Sequence, residues 1–378
     1  MSSIKLSSVC QAPPDTAAAP AQRPAVGSQR RAATEAASTK PAYLSYIHSF
    51  RGLAILSVVA GHCLTLFDWE NAGTLGRALD IVLKNGTVYF VFIAGYLFHH
   101  LSGGYRFVEY MKKKVKNVIV PYLIMSTPAV VVFTFLVRPA ALGEAFYQHG
   151  VSWRLITFYT TGVYLSGYWF ISMIAVFYLL SPLLIYWIRR KHLHWLVFLY
   201  LGASFCVDRG DFKEKCVYFF SIYLVGMLFS HYRERVFQKT CRHLPLLLGV
   251  TLGCVLVELL VVQQRTGPIN LLQKLALCPI LLLALDRSHR FVGRPLGFLG
   301  TVSFGLYFVH PYVLVALRVC ATALITGSLV EWDEDQLFGK GNVPACLASV
   351  ALVVGLSSVL VVAAKRLFGR HSRLILGT

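Results

Sequence analysis

A chain of 378 residues that is 56% hydrophobic and only 14% charged has too little polar surface to fold as a soluble domain of that size, so it reads as a polytopic helical membrane protein. Its formal charge of +19 would suggest nucleic acid in a soluble protein. In a membrane protein basic residues collect in cytoplasmic loops, and no nucleic-acid partner is expected. The nine cysteines form no CxxC pair and no ligand-like spacing, which points away from a disulfide framework and from a metal site.

Residues 1–40 are rich in Ala, Pro, Ser and Gln and hold no apolar run, so they predict a disordered cytoplasmic tail. They lack the apolar core of a signal peptide, and the first membrane helix is therefore expected to be retained. Ten apolar stretches follow, over 43–66, 79–101, 118–137, 168–188, 193–207, 216–231, 244–262, 269–285, 297–325 and 344–364. The fold class is all-α, a transmembrane bundle of about ten helices filling a domain over 41–366, with a basic cytoplasmic tail over 367–378. The fifth, sixth and eighth stretches are short, which predicts tilted, broken or interfacial helices. Lys and Arg recur in every second connection, for example Lys112, Lys113, Lys114 and Lys116 in one and Arg233, Arg235, Lys239 and Arg242 in another. The first loop carries Asp68, Glu70 and Arg77, and the ninth is acidic, with Glu331, Asp333, Glu334 and Asp335. The bias places both termini in the cytoplasm, as an even number of helices also requires.

The first helix holds Arg51 near its start and His62 eleven residues later. That spacing is close to three turns, so both side chains share a face with ~16 Å between them along the axis. Ionisable groups inside a membrane helix are costly and usually face the protein interior. Either the pair is functional, or Arg51 snorkels to the interface and His62 only bonds a neighbouring helix. Gly52, Gly61, Ala94 and Gly95 suit close helix packing. Lys113 and Lys116 are three apart and share a face, as a phosphate-binding cluster or as ordinary positive-inside anchors. At the fourth helix Tyr168 fits an interfacial aromatic belt, and Trp169 could also wall a sugar or acyl pocket. Tyr307 and His310 lie one turn apart on the ninth, followed by Pro311, which should bend or loosen the helix. Glu258 and Arg318 are expected to pair with each other.

Together these residues resemble the acyltransferase-3 family of integral-membrane acyltransferases. The likeness rests on Arg51 with ten residues and then His62, on Phe92-Ile93-Ala94-Gly95-Tyr96-Leu97, and on the basic run ending in Pro121-Tyr122. It extends to Trp169-Phe170 with Pro182, and to Ser303, Tyr307 and His310, and so covers roughly 43–365. Within the family the chain looks most like the bacterial exopolysaccharide O-acetyltransferases of the xanthan type. The resemblance implies a multi-pass protein of the bacterial inner membrane, alongside other polysaccharide-assembly proteins. It would move acetyl from cytoplasmic acetyl-CoA, a substrate and not a bound cofactor, to a sugar hydroxyl of an exopolysaccharide or its lipid-linked precursor. His62 would be the catalytic histidine and Arg51 its partner in binding the donor. Lys113 and Lys116 stand where the family has Arg-x-x-Arg, with Tyr122 beside them, while Trp169, Tyr307 and His310 would support the site or hold the acceptor. His62 could act as general base on the sugar hydroxyl or be acylated first. A glycan transporter and a non-catalytic scaffold are the competing readings.

Overall fold

The fold is described from a computed structural model over residues 43–69, 73–138, 142–165, 167–261, 267–326 and 338–377. The expected disordered tail, Glu70 and the acidic residues of the ninth loop lie outside these. The chain opens with α1 (Ser45–Leu64) and continues through α2 (Gly73–Leu83) and α3 (Thr87–His100). Next come α4 (Phe107–Lys114), a π-helical stretch over Val115–Ile119, α5 (Val120–Val131) and a second π-helical stretch over Val132–Leu136. Two peripheral helices follow, α6 (Glu144–Gln148) and α7 (Val151–Thr161), then α8 (Trp169–Leu179), α9 (Ser181–Arg189), α10 (Leu196–Cys206) and α11 (Phe212–His231). The last group is α12 (Arg233–Arg242), α13 (Leu244–Leu260), α14 (Pro268–Arg287), α15 (His289–Thr326), α16 (Val343–Phe368) and the short α17 (Ser372–Ile375). Among the described residues the only bridge outside the helices pairs Asp68 with Lys340.

Each of the ten apolar stretches is helical, but they are not ten equivalent crossings. Six helical runs are long and apolar enough to span, and two bent pairs, α8–α9 at 58° and α12–α13 at 79°, would raise the number to eight. The bend before α9 has a local cause, because Pro182 in its first turn lacks the N–H that would continue α8. With 11 residues α10 covers only about 16 Å and cannot cross alone. The eighth stretch, expected to be short, is the full 20-residue α14. Pro311 does not end α15, which runs through it for 38 residues.

Two helix crossings hold the site, and both close on glycine. On α1 a side chain at Gly52 would run into the carbonyl of Leu296, and on α15 one at Gly300 would run into the carbonyl of His48. A side chain at Gly95 on α3 would meet the Tyr223 carbonyl, and one at Gly226 on α11 the Phe92 carbonyl. The contacts are reciprocal, so backbone lies on backbone, as small residues permit in membrane helices. Gly52 and Gly95 thus pack as their sequence context predicts.

The span over 79–101 is broken. Between α2 and α3 the chain passes through Asn85 at φ 64, in the left-handed region that asparagine tolerates better than most residues. The freed carbonyls at the end of α2 are taken by α14. Lys274 Nζ donates to Ile81 at 3.1 Å and to Val82 at 2.6 Å, and Asn270 Nδ2 donates to Ile81 at 3.2 Å. A cation at a helix C-terminus is favoured by the helix dipole, and here it also satisfies groups that would otherwise be orphaned in an apolar setting. Irregular backbone at membrane depth is tolerated where it lines a cavity, and this break does so.

Candidate active site

Arg51 and His62 share one face of α1, and both meet α15. Arg51 Nη2 donates to Ser303 Oγ at 3.0 Å, and Ser303 in turn donates to the Gly300 carbonyl at 2.8 Å. Three turns further on, the His62 ring lies 5.5 Å from the ring of His310, centroid to centroid. The carbonyl of Leu306 accepts from His310 Nδ1 at 2.8 Å, which fixes the proton there and leaves Nε2 with its lone pair. Nε2 is buried and has no hydrogen-bond partner among the described residues.

His62 opens onto a chamber of 290 Å³, whose walls include Ser57, Lys84, Asn85, Gly167, Trp169 and Arg209. The break between α2 and α3 forms one side of it. Opposite His62 stands Gly167 at φ +98, where a Cβ would lie 3.8 Å from His62 Nε2. Glycine suits both the backbone conformation and the open space before the imidazole. The Tyr307 hydroxyl donates to the Gly167 carbonyl at 2.6 Å and holds it in place.

A second chamber of 610 Å³ is lined by Arg51, Arg106, Lys113 and Lys114. Lys114 is drawn inward by aromatic faces, its Nζ 4.5 Å from the Tyr178 ring and 5.3 Å from that of Tyr110. Among the lining residues only Glu109 opposes these charges. Phe90, Phe170 and Tyr307 line both chambers, so they form an aromatic collar between them. Phe90 and Phe170 lie 6.2 Å apart, and Phe170 and Tyr307 5.7 Å apart.

The expected site residues therefore divide. Arg51, His62, Lys113, Trp169 and Tyr307 line the chambers, with His310 directly behind His62. Lys116 is exposed and outside the lining, with Lys114 beside Lys113 instead, because the chamber face of this segment runs through Arg106, Glu109, Tyr110, Lys113, Lys114, Asn117 and Val118, a helical stripe that misses Lys116. Tyr122 is buried in packing, its hydroxyl donating to the Tyr159 carbonyl at 3.0 Å. Tyr168 is not a belt residue. It is fully buried, and its hydroxyl donates to the Phe308 carbonyl at 2.8 Å. The expected Glu258–Arg318 pair does not form, because each has nearer partners. Glu258 accepts from Asn270 at 3.2 Å, and Arg318 donates to the Thr65 carbonyl and hydroxyl, each at 3.3 Å. Ala94 lines the larger chamber while Gly95 packs.

Residues 44–362 match the sequence profile of the family described as an acyltransferase domain, acyltransferase-3. The chain belongs to this family. No curated protein and no solved structure gives a significant match. As an acyltransferase-3 protein it is a multi-pass membrane acyltransferase. Sequence reasoning missed several of this acyltransferase's chamber residues, and also Asn270 and Lys274, which hold the end of α2 beside the chamber. Asn270 and Lys274, polar residues four apart in an apolar helix, were a usable signal. Gly167, Asn85 and Arg209 sit in breaks and loops, where periodicity says nothing. Asn85 Oδ1 accepts from Arg209 Nη1 at 2.7 Å, and its amide donates to Tyr218 at 3.0 Å and Asn270 at 3.1 Å. Burial pulls the Arg209 pKa below the usual guanidinium range, opposed by Tyr218.

Proposed function

We propose that this acyltransferase moves an acetyl group from acetyl-CoA to a sugar hydroxyl of an exopolysaccharide or its lipid-linked precursor, with His62 as the catalytic residue. It would work in the bacterial inner membrane with both termini in the cytoplasm, next to other polysaccharide-assembly proteins, and its nearest functional kin would be the xanthan-type O-acetyltransferases. One observation supports this reading above the others. A chamber lined with cations shares three aromatic side chains, Phe90, Phe170 and Tyr307, with a chamber that has a histidine in its wall.

CoA has a phosphate-rich head and a long thin arm that ends in the thioester. Lys113, Lys114 and Arg106 supply point and fork charges for the head, and Arg51 lines the same chamber. The arm would run toward the collar and present the thioester carbonyl to the His62 chamber. A sugar hydroxyl there attacks the carbonyl carbon while His62 Nε2 takes its proton. The C–O bond forms, the C–S bond breaks, and the imidazolium returns the proton to the departing CoA sulfur. His310 would orient His62 and share its charge. Acylation of His62 before transfer uses the same geometry. No cofactor is held permanently in this scheme. The transport alternative draws no support from the family match.

The test is transfer of label from acetyl-labelled CoA to glycan by the purified protein in vesicles, where label that accumulates in the glycan is the expected result. CoA binding and transfer both absent, with glycan crossing the vesicle membrane, would replace the enzyme by a transporter. The donor site has its own check. Lys113→Glu should raise the KM for acetyl-CoA roughly tenfold at low ionic strength, with the effect shrinking as salt screens the phosphates. A KM unchanged at every salt concentration would remove Lys113 from the donor site.

A further inference from the structure

The His62 chamber carries a cation that neither the fold nor the transfer step accounts for. Arg209 reaches the chamber wall from the connection between α10 and α11. Its Nη1 donates to the neutral Asn85, and its guanidinium lies 4.9 Å from the Phe219 ring, 5.5 Å from Tyr218 and 5.7 Å from Trp169. Its Nε is buried without a hydrogen-bond partner. Among the described residues no carboxylate pairs with it, and the chamber lining holds no Asp or Glu. Lys84, also in the lining, is paired with Asp80 one turn earlier on the same strand of backbone.

A guanidinium stays charged at any physiological pH, and an unpaired charge in an apolar setting is costly. Asn85 does not offset that cost, because its amide is itself consumed by Tyr218 and Asn270. Asn85 instead turns the guanidinium and holds it among Phe219, Tyr218 and Trp169, of which Trp169 lines the chamber and offers an aromatic face of the kind that stacks on sugar rings. The fork of donors matches the two oxygens of a carboxylate or phosphate.

We infer that the His62 chamber is built for an anionic acceptor, a sugar whose carboxylate or phosphate oxygens complete the coordination of Arg209 while its hydroxyl faces His62. This rests on the acyl-transfer reading for the role of the bound sugar, though the binding itself can be measured without transfer. Asn85 is a positioning residue here and Arg209 the group that touches the acceptor.

The test titrates the full-length protein in nanodiscs of neutral lipid with methyl glucoside, methyl glucuronoside and glucose 1-phosphate. Binding is read by tryptophan fluorescence and assigned to the chamber with Trp169→Phe. At least one anionic sugar should bind at least about tenfold more tightly than the neutral glucoside, and Arg209→Gln should erase that difference. Which anion wins separates a carboxylate on the glycan from a phosphate of the lipid-linked carrier. Equal affinities, no saturable response to either anion, or a preference that survives Arg209→Gln would overturn the inference. CoA release from acetyl-CoA is followed in parallel. Release independent of His62 would defeat the acyl-transfer reading and leave the anion preference standing, whereas His62-dependent transfer to neutral and anionic sugars alike would do the reverse.

Discussion

His62→Ala should abolish acyl transfer while the protein stays folded in the membrane and still binds acetyl-CoA. Removing a general base costs about 10²–10⁴ in rate, and removing a nucleophile costs at least as much, so the expected loss holds for either course of reaction. Binding should survive because His62 lines the smaller chamber and the cations lie along the larger one. His310→Gln separates support from chemistry. Glutamine keeps a donor for the Leu306 carbonyl but loses the imidazole beside His62, so transfer should fall by about tenfold, less than for His62→Ala. The measurement is labelled transfer at saturating acetyl-CoA, with donor affinity taken separately by equilibrium binding. Normal transfer by His62→Ala would end its catalytic assignment. A donor affinity lost together with transfer would instead move His62 into the donor site.

What could be read in the sequence follows the physics of membrane helices. An apolar run longer than about 18 residues has few alternatives in lipid, so helix existence was legible, and Arg51 and His62 stood out because charge is rare there. The eleven-residue spacing put both on one face of α1, and the structure gives both to α15. Other features depend on tertiary partners. Tyr168 and Tyr122 look like interfacial or ligand-facing aromatics until helices close over them. Glu258 and Arg318 were natural partners by charge alone, but Asn270 and Thr65 reach them first. Lys113 and Lys116 are three apart, but the chamber takes the stripe through Tyr110, Lys113, Lys114 and Asn117, and spacing alone does not say which side of Lys113 faces the cavity. The His62 chamber is half built from what periodicity ignores, namely the break at Asn85, the glycine at 167 and the loop arginine at 209. Ligand-facing irregular backbone of this kind leaves little trace in a single sequence. Lys274 was also missed although it left a trace, a lysine in the middle of an apolar helix, and the structure buries it on the orphaned carbonyls of α2.

Gly52→Val should destabilise the fold and silence the enzyme together, because one crossing does both jobs. The Gly52 position faces the carbonyl of Leu296 and the amide nitrogen of Gly300, which a flexible side chain could avoid but backbone cannot. To admit valine, α1 and α15 must move apart. Overpacking of this kind costs about 1–3 kcal/mol and more where the obstacle is rigid. The same separation lengthens the 3.0 Å bond from Arg51 to Ser303 and opens the 5.5 Å contact between the tilted rings of His62 and His310. Detergent-solubilised protein should therefore melt several degrees lower, and transfer should drop below that of His310→Gln even at temperatures where the variant is folded. Gly253→Ala on α13 is the control, since a Cβ there meets nothing within 4 Å. Alanine gains up to about 1 kcal/mol of helix propensity over glycine, so that variant should melt at or above the parent and transfer at the parental rate. A Gly52→Val protein with parental melting and transfer would mean that the two helices are not held at this distance. The face shared by Arg51 and His62 would then owe its alignment to something other than their crossing.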